Sequence, residues 1–241
     1  MMRISGTTFQ SPSPRVQLGL SERLAALPSL TEEASTISEP GVQTLVGQTP
    51  RLWRGTQTVP RNTFSTGYPT LDARLPGQGW PVGALTELIP HSEGLGEVQL
   101  LLPALRRLTQ SHRDVLLINP PYLPYAPALA KARLRLKHLC WINTENDDEA
   151  QWVAEQSLHA GAAGAVVLWS SSLADAAMYR LQLAARDGMA LSFVCRPIKA
   201  LDHISVATLR LSLRPGAGGA LRVELVNVPG GQLGALTLYH R

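Results

Sequence analysis

From residue 64 onward, apolar positions follow two spacings in turn. Unbroken aliphatic runs predict strands at Ala84 to Pro90, Asp114 to Asn119, His138 to Asn143, Ala165 to Trp169 and Leu191 to Cys195. Between them, spacing of three and four residues predicts helices. Glu97 to Gln110 turns Val98, Leu101, Leu102 and Leu105 inward, and Pro127 to Arg135 forms a shorter helix. Asp147 and Asp148 open the next one, where carboxylates suit free amides and the positive end of the helix dipole. Its inward face is Ala150, Val153, Ala154 and Leu158, and Gly161 ends it. Ala174 to Arg186 buries Ala177, Met178, Leu181 and Ala185 and stops at Gly188. Wholly aliphatic strands alternating with helices imply a parallel sheet covered on both faces. After residue 207 the pattern becomes strict alternation. Thr208 to Leu213 and Leu221 to Val226, joined by a glycine-rich turn, predict a β-hairpin, and Leu233 to Tyr239 a further edge strand. The fold class is therefore α/β, a mostly parallel sheet flanked by helices with a C-terminal β-hairpin.

Residues 1–50 differ. They are rich in Ser, Thr, Pro, Gln and Gly, and only Leu20, Leu24 and Leu27 keep helical spacing. The expectation is a flexible N-terminal arm with one short helix (1–50), followed by one domain (51–241). Of 241 residues, 44% are hydrophobic but only 5% aromatic, so the core must be aliphatic. No apolar run reaches the roughly 18 residues a bilayer span needs, and the first nine residues lack a secretory leader's pattern. Cys140 and Cys195 lie inside apolar runs, which makes them packing residues. Together these predict a cytoplasmic chain with no membrane contact. A net charge of +4 permits nucleic-acid contact without requiring it.

The segment entering the first core strand carries an ordered set: Thr66, Gly67, Leu71, Asp72, Leu75, Gly79, Pro81 and Gly83. In that order and spacing it resembles the RecA family, and the resemblance runs from about residue 64 to 231. Its glycines are expected at turns that need positive φ. In that family the first strand feeds a phosphate-binding loop ending in Gly-Lys-Ser/Thr. Here the loop reads Pro90, His91, Ser92, Glu93, Gly94, Leu95, Gly96, Glu97. Gly96 stands at the lysine position and Glu97 at that of the magnesium-binding hydroxyl. Pro121, in the run Asn119-Pro-Pro, and Trp169 replace the expected catalytic glutamate and magnesium-binding aspartate. A carboxylate at the helix N-terminus occupies the seat a phosphate needs. The resemblance thus implies a chain that hydrolyses no ATP, uses no cofactor and holds no metal.

The wording around this loop, Gly-Gln-Gly-Trp-Pro-Val-Gly-Ala-Leu-Thr-Glu-Leu from Gly77 onward and Gly-Leu-Gly-Glu-Val-Gln-Leu-Leu-Leu-Pro-Ala-Leu from Gly94, is similar to the ImuA family. That family is RecA-like and grouped with SulA. The resemblance implies a non-catalytic accessory protein of the SOS response, active in translesion DNA synthesis. Its implied partners are an ImuB-like polymerase homologue, an error-prone C-family DNA polymerase and RecA. The alternatives are a SulA-type inhibitor of cell division binding FtsZ, or a residual nucleotide-dependent DNA-binding ATPase.

Lys131, Arg133, Arg135 and Lys137 form a run without acids, which Arg106 and Arg107 could extend. It reads either as a solvated connection or as a surface for a partner or weak DNA contact. Tyr122 and Tyr125 read either as proline-aromatic packing of a rigid loop or, with Trp80 and Trp169, as an apolar partner surface. His91, Ser92 and Glu93 adjoin in sequence, which does not supply the geometry of a nucleophile and its base. Leu238 to Arg241 reads either as a short protease-recognition tail or as the end of a strand.

Overall fold

The computed structural model describes residues 62–239. The N-terminal arm expected over 1–50 and the last two residues of the tail lie outside them.

Ten strands and five α-helices are described. A two-stranded ribbon pairs β1 (Thr63–Phe64) with β2 (Trp80–Pro81) around a four-residue helix α1 (Pro69–Asp72). The main sheet holds β3 (Ala84–Pro90), β4 (Asp114–Ile118), β5 (Leu139–Ile142), β6 (Ala163–Trp169), β7 (Leu191–Cys195), β8 (Leu209–Pro215), β9 (Leu221–Asn227) and β10 (Gly234–Leu238). Its order is β10-β9-β8-β3-β7-β6-β4-β5. From β8 to β5 all neighbours run parallel, while β8–β9 and β9–β10 are antiparallel.

The aliphatic strands bury both faces, as their composition requires. Leu88, Leu117, Val167 and Phe193 join a core with Leu100, Leu101, Ala104, Leu105 and Leu108 of α2 (Glu97–Gln110). Leu116, Ile118, Val166 and Leu168, from alternate positions, are also buried. There α4 (Asp147–His159) and α5 (Asp175–Gly188) pack on each other and on β6 and β3.

Three sequence expectations need correction. The buried stripe of α2 includes Leu100, Ala104 and Leu108, while Val98 and Leu102 are half-buried beside the core. The helix after β4, α3, spans only Ala126–Lys131; Arg133 takes φ 65° and breaks it, and His138 belongs to a short 3-10 turn before β5. Gly188 is the last residue of α5, and Met189 adopts the left-handed cap at φ 48°.

The segment before β3 is tied down by Asp72, which accepts from the Thr66 amide and the Ser65 hydroxyl, both at 2.8 Å. Pro103 inside α2 has no N–H to offer the carbonyl of Gln99. The Tyr68 hydroxyl donates to that carbonyl at 3.1 Å. Gly79 lies at φ 173°, an extended value open to any residue, so positive φ does not explain it. A Cβ there would come within 2.5 Å of the Phe64 carbonyl oxygen.

Candidate functional site

The carboxyl ends of β3, β4, β6 and β7 and the N-termini of α2 and α4 surround a cavity of about 330 Å³. This is where open parallel sheets usually hold ligands. Its wall includes His91, Ser92, Glu93, Glu97, Asn119, Pro121, Asp147, Trp169, Cys195 and Arg196.

Glu97 is the centre of this site. It is 1% exposed, at the first position of α2. Its Oε1 accepts from the Gly94 amide at 2.9 Å and from the Trp169 indole N–H at 3.3 Å, while Oε2 is buried without a hydrogen-bond partner. The side chain therefore folds back into its own loop and satisfies the Gly94 amide, two residues before the helix cap. Gly96 holds φ 80°, and a Cβ there would meet Leu221 at 2.9 Å. Tyr122 lies so close to Gly94 that a Cβ would be 2.5 Å from its ring.

The other walls are equally committed. Asn119 bonds Thr144 twice, through Oδ1 to the amide and through Nδ2 to the hydroxyl, each at 2.8 Å. Asp147 accepts from Ser170, Ser171 and the Ser172 amide, which fixes the turn after β6. Burial, reinforced by Glu97, pushes the Cys195 thiol well above its ordinary range. It stays protonated and unreactive at neutral pH.

Beneath the cavity floor a buried ion triad binds the segment after β7. Glu87 on β3, wholly buried, pairs with Arg196 at 3.1 Å and Arg210 at 2.7 Å. Arg210 also donates to the carbonyls of His203 and Ala200, and Arg196 to that of Leu173. A charge in the middle of an aliphatic strand was the available sequence signal for this cluster, and sequence reading passed over it.

A second polar cluster lies at the opposite ends of the strands. His138 Nδ1 and Asp114 are 2.8 Å apart, His138 Nε2 and His112 Nδ1 are 3.2 Å apart, and Arg135 reaches His112 at 3.1 Å. Arg135 chiefly, then desolvation, Lys137 and His138, lower the His112 pKa.

The predicted contact residues divide. Lys131, Arg133, Arg135 and Lys137 are all exposed, anchored by buried Leu134 and by bonds from the end of α2 to the Arg133 carbonyl and Arg135 amide. Arg107 instead covers the Phe64 ring at 4.5 Å and donates to the Ser65 carbonyl, and Arg106 is half-buried. The expected four-aromatic surface does not form. Tyr122 and Tyr125 are exposed beside Leu123, but Trp169 is buried and Trp80 packs edge-on against Phe193 in the core. Leu238 is buried at the end of β10 and Tyr239 is exposed. Among the described residues no helix is long and apolar enough to cross a membrane.

No protein-family profile matches the chain. The chain is similar to the cell division inhibitor SulA of Yersinia enterocolitica, with 28% identity over 131 residues, covering 54% of this chain and 78% of that protein.

Proposed function

We propose that this chain is a non-catalytic, RecA-like accessory protein of the SOS response. It acts in damage-induced translesion DNA synthesis beside an ImuB-like polymerase homologue and an error-prone DNA polymerase, with RecA as a further partner. The observation that carries the non-catalytic part is the seat of Glu97. Its carboxylate binds the loop amide and the Trp169 indole where the RecA resemblance would put a phosphate and its magnesium. Phosphoryl transfer depends on neutralising phosphate charge with a lysine and Mg²⁺. Gly96, Glu97 and Trp169 supply no cation. The sheet order and the Asp72-tied segment before β3 support the RecA-like reading. The similarity to SulA supports the SOS setting.

That similarity also favours a second reading, inhibition of cell division by binding FtsZ. The exposed Lys131, Arg133, Arg135 and Lys137 are the proposed contact for a polymerase partner or for weak DNA binding.

The test is binding of the purified chain to the ImuB-like protein, RecA and FtsZ in parallel, with steady-state ATP turnover measured with and without single-stranded DNA. Capture of the ImuB-like protein and no turnover are expected. Capture of FtsZ alone selects the second reading, and turnover lost on Gly96→Arg overturns the non-catalytic one.

A further inference from the structure

Strand β5 ends the sheet, and among the described residues it pairs on one side only, with β4. An edge row of free N–H and C=O groups is a template for another strand, which brevity, as in four-residue β5, or lysine, proline or a bulge can blunt. Leu139-Cys-Trp-Ile142 contains neither residue, and its register with β4 is unbroken. Trp141, in the second half of this short strand, is 41% exposed.

The two ends of this strand carry opposite charge. At its amino end stand Lys131, Arg133, Arg135 and Lys137, with no acid from 131 to 138. At its carboxyl end stand Glu145, Asp147, Asp148 and Glu149, with no Lys or Arg from 139 to 155. Asp147 is held by the serine turn, whereas Glu145, Asp148 and Glu149 are exposed, as are all four cations.

We infer that this edge is a homodimer surface, on which β5 of a second copy pairs antiparallel about a two-fold axis and extends the sheet. Such an axis brings the same patch of both copies together. It sets each copy's basic end against the other's acidic end and brings the two Trp141 side chains toward each other. Parallel pairing would oppose like charges, so the charge pattern selects the orientation. Exposed ion pairs add little affinity singly, but complementary fields choose partner and register. An exposed tryptophan near the axis is the residue type that anchors such contacts. The inference does not rest on the proposed function, and it gives Lys131, Arg133, Arg135 and Lys137 to the second copy in place of a polymerase or DNA contact.

The experiment is sedimentation velocity of the full chain over a wide concentration range at low and high salt. A dimer that weakens with salt is expected, and Trp141→Lys should weaken it at least tenfold. Two charge variants decide the geometry. One carries Arg133→Glu, Arg135→Glu and Lys137→Glu; the other carries Glu145→Lys, Asp148→Lys and Glu149→Gln, the glutamine keeping an oxygen for the Glu145 amide. With unaltered circular dichroism, each alone should be monomeric and an equimolar mixture should form a heterodimer. A wild-type chain that stays monomeric, including one that binds single-stranded DNA as a monomer, overturns the inference. So does a dimer that survives all three variants, or a mixture that fails to associate.

Discussion

Glu97→Ala is the sharpest perturbation of the cavity. It removes the acceptor of the Gly94 amide and of the Trp169 indole, both within a site where Glu97 is 1% exposed. Leaving the buried indole donor unmade costs about 1–3 kcal/mol, and the part-buried Gly94 amide adds about 1–2. Water can enter the adjoining cavity and recover part of that, so a net loss of about 2–4 kcal/mol is expected. For a domain of this size each kcal/mol lowers Tm by about 2–4 °C, which predicts a fall of about 5–15 °C. The variant also frees the N-terminus of α2, whose amides and dipole attract anions. Inorganic phosphate at ten times its Kd would then restore about 1.4 kcal/mol. Thermal scans in phosphate and in chloride at matched ionic strength read both effects. The wild type should show no difference between the two salts and the variant a clear one. Equal stabilisation of both proteins by phosphate, or a variant within about 0.5 kcal/mol of wild type, a change typical of an unremarkable surface position, would refute the view that Glu97 fills the anion seat.

Three further outcomes are expected. Gly96→Lys should destabilise by about 2–5 kcal/mol, because a side chain at φ 80° costs about 1–2 and crowding against Leu221 about 1–3 more; urea unfolding reads the loss, and ATP turnover should stay at background. Glu87→Gln strands buried Arg210 and half-buried Arg196 and should cost about 3–5 kcal/mol in the same assay, with faster proteolysis between residues 196 and 210. His112 should titrate below an ordinary histidine by NMR, and Arg135→Gln should raise its pKa, since Arg135 is the main cause of the lowering. A base with a depressed folded pKa stabilises the fold above its unfolded pKa and loses that contribution as pH falls.

Most strands were legible because burial on both faces demands aliphatic runs, as Ala163–Trp169 and Leu191–Cys195 show. Boundaries failed where a local backbone event decides them. Nothing in the composition of Pro127 to Arg135 signals that Arg133 turns left-handed. The stripe of α2 was rotated because Val98 and Leu102 sit at helical spacing yet lie at the margin of the core, a placement set by tertiary packing and not by periodicity. The loop substitutions at Gly96, Glu97 and Trp169 were visible as residue types. Their mutual contact was not, since 72 positions separate Glu97 from Trp169 and only the parallel pairing of β6 with β7 and β4 brings β6 to the cavity. Trp80 misled for the opposite reason: an aromatic in a glycine-rich turn reads as surface, whereas the ribbon folds it onto Phe193.

Glu97 and Trp169 constrain each other. A buried indole N–H without an acceptor carries a desolvation cost, and a buried carboxylate with no cation beside it depends on every donor it can find. Each residue supplies what the other lacks. Reversing either alone, toward a hydroxyl at 97 or an aspartate at 169, leaves the remaining partner stranded in the cavity wall. Under the proposed reading this coupling makes the loss of phosphate chemistry hard to undo by single changes. The cavity persists beside this pair with one wall tied by Asp147 and the segment after β7 by the Glu87 triad. The Glu97 carboxylate closes its own loop through the Gly94 amide and the Trp169 indole. The neighbouring exposed Tyr122 packs on Gly94 of that loop.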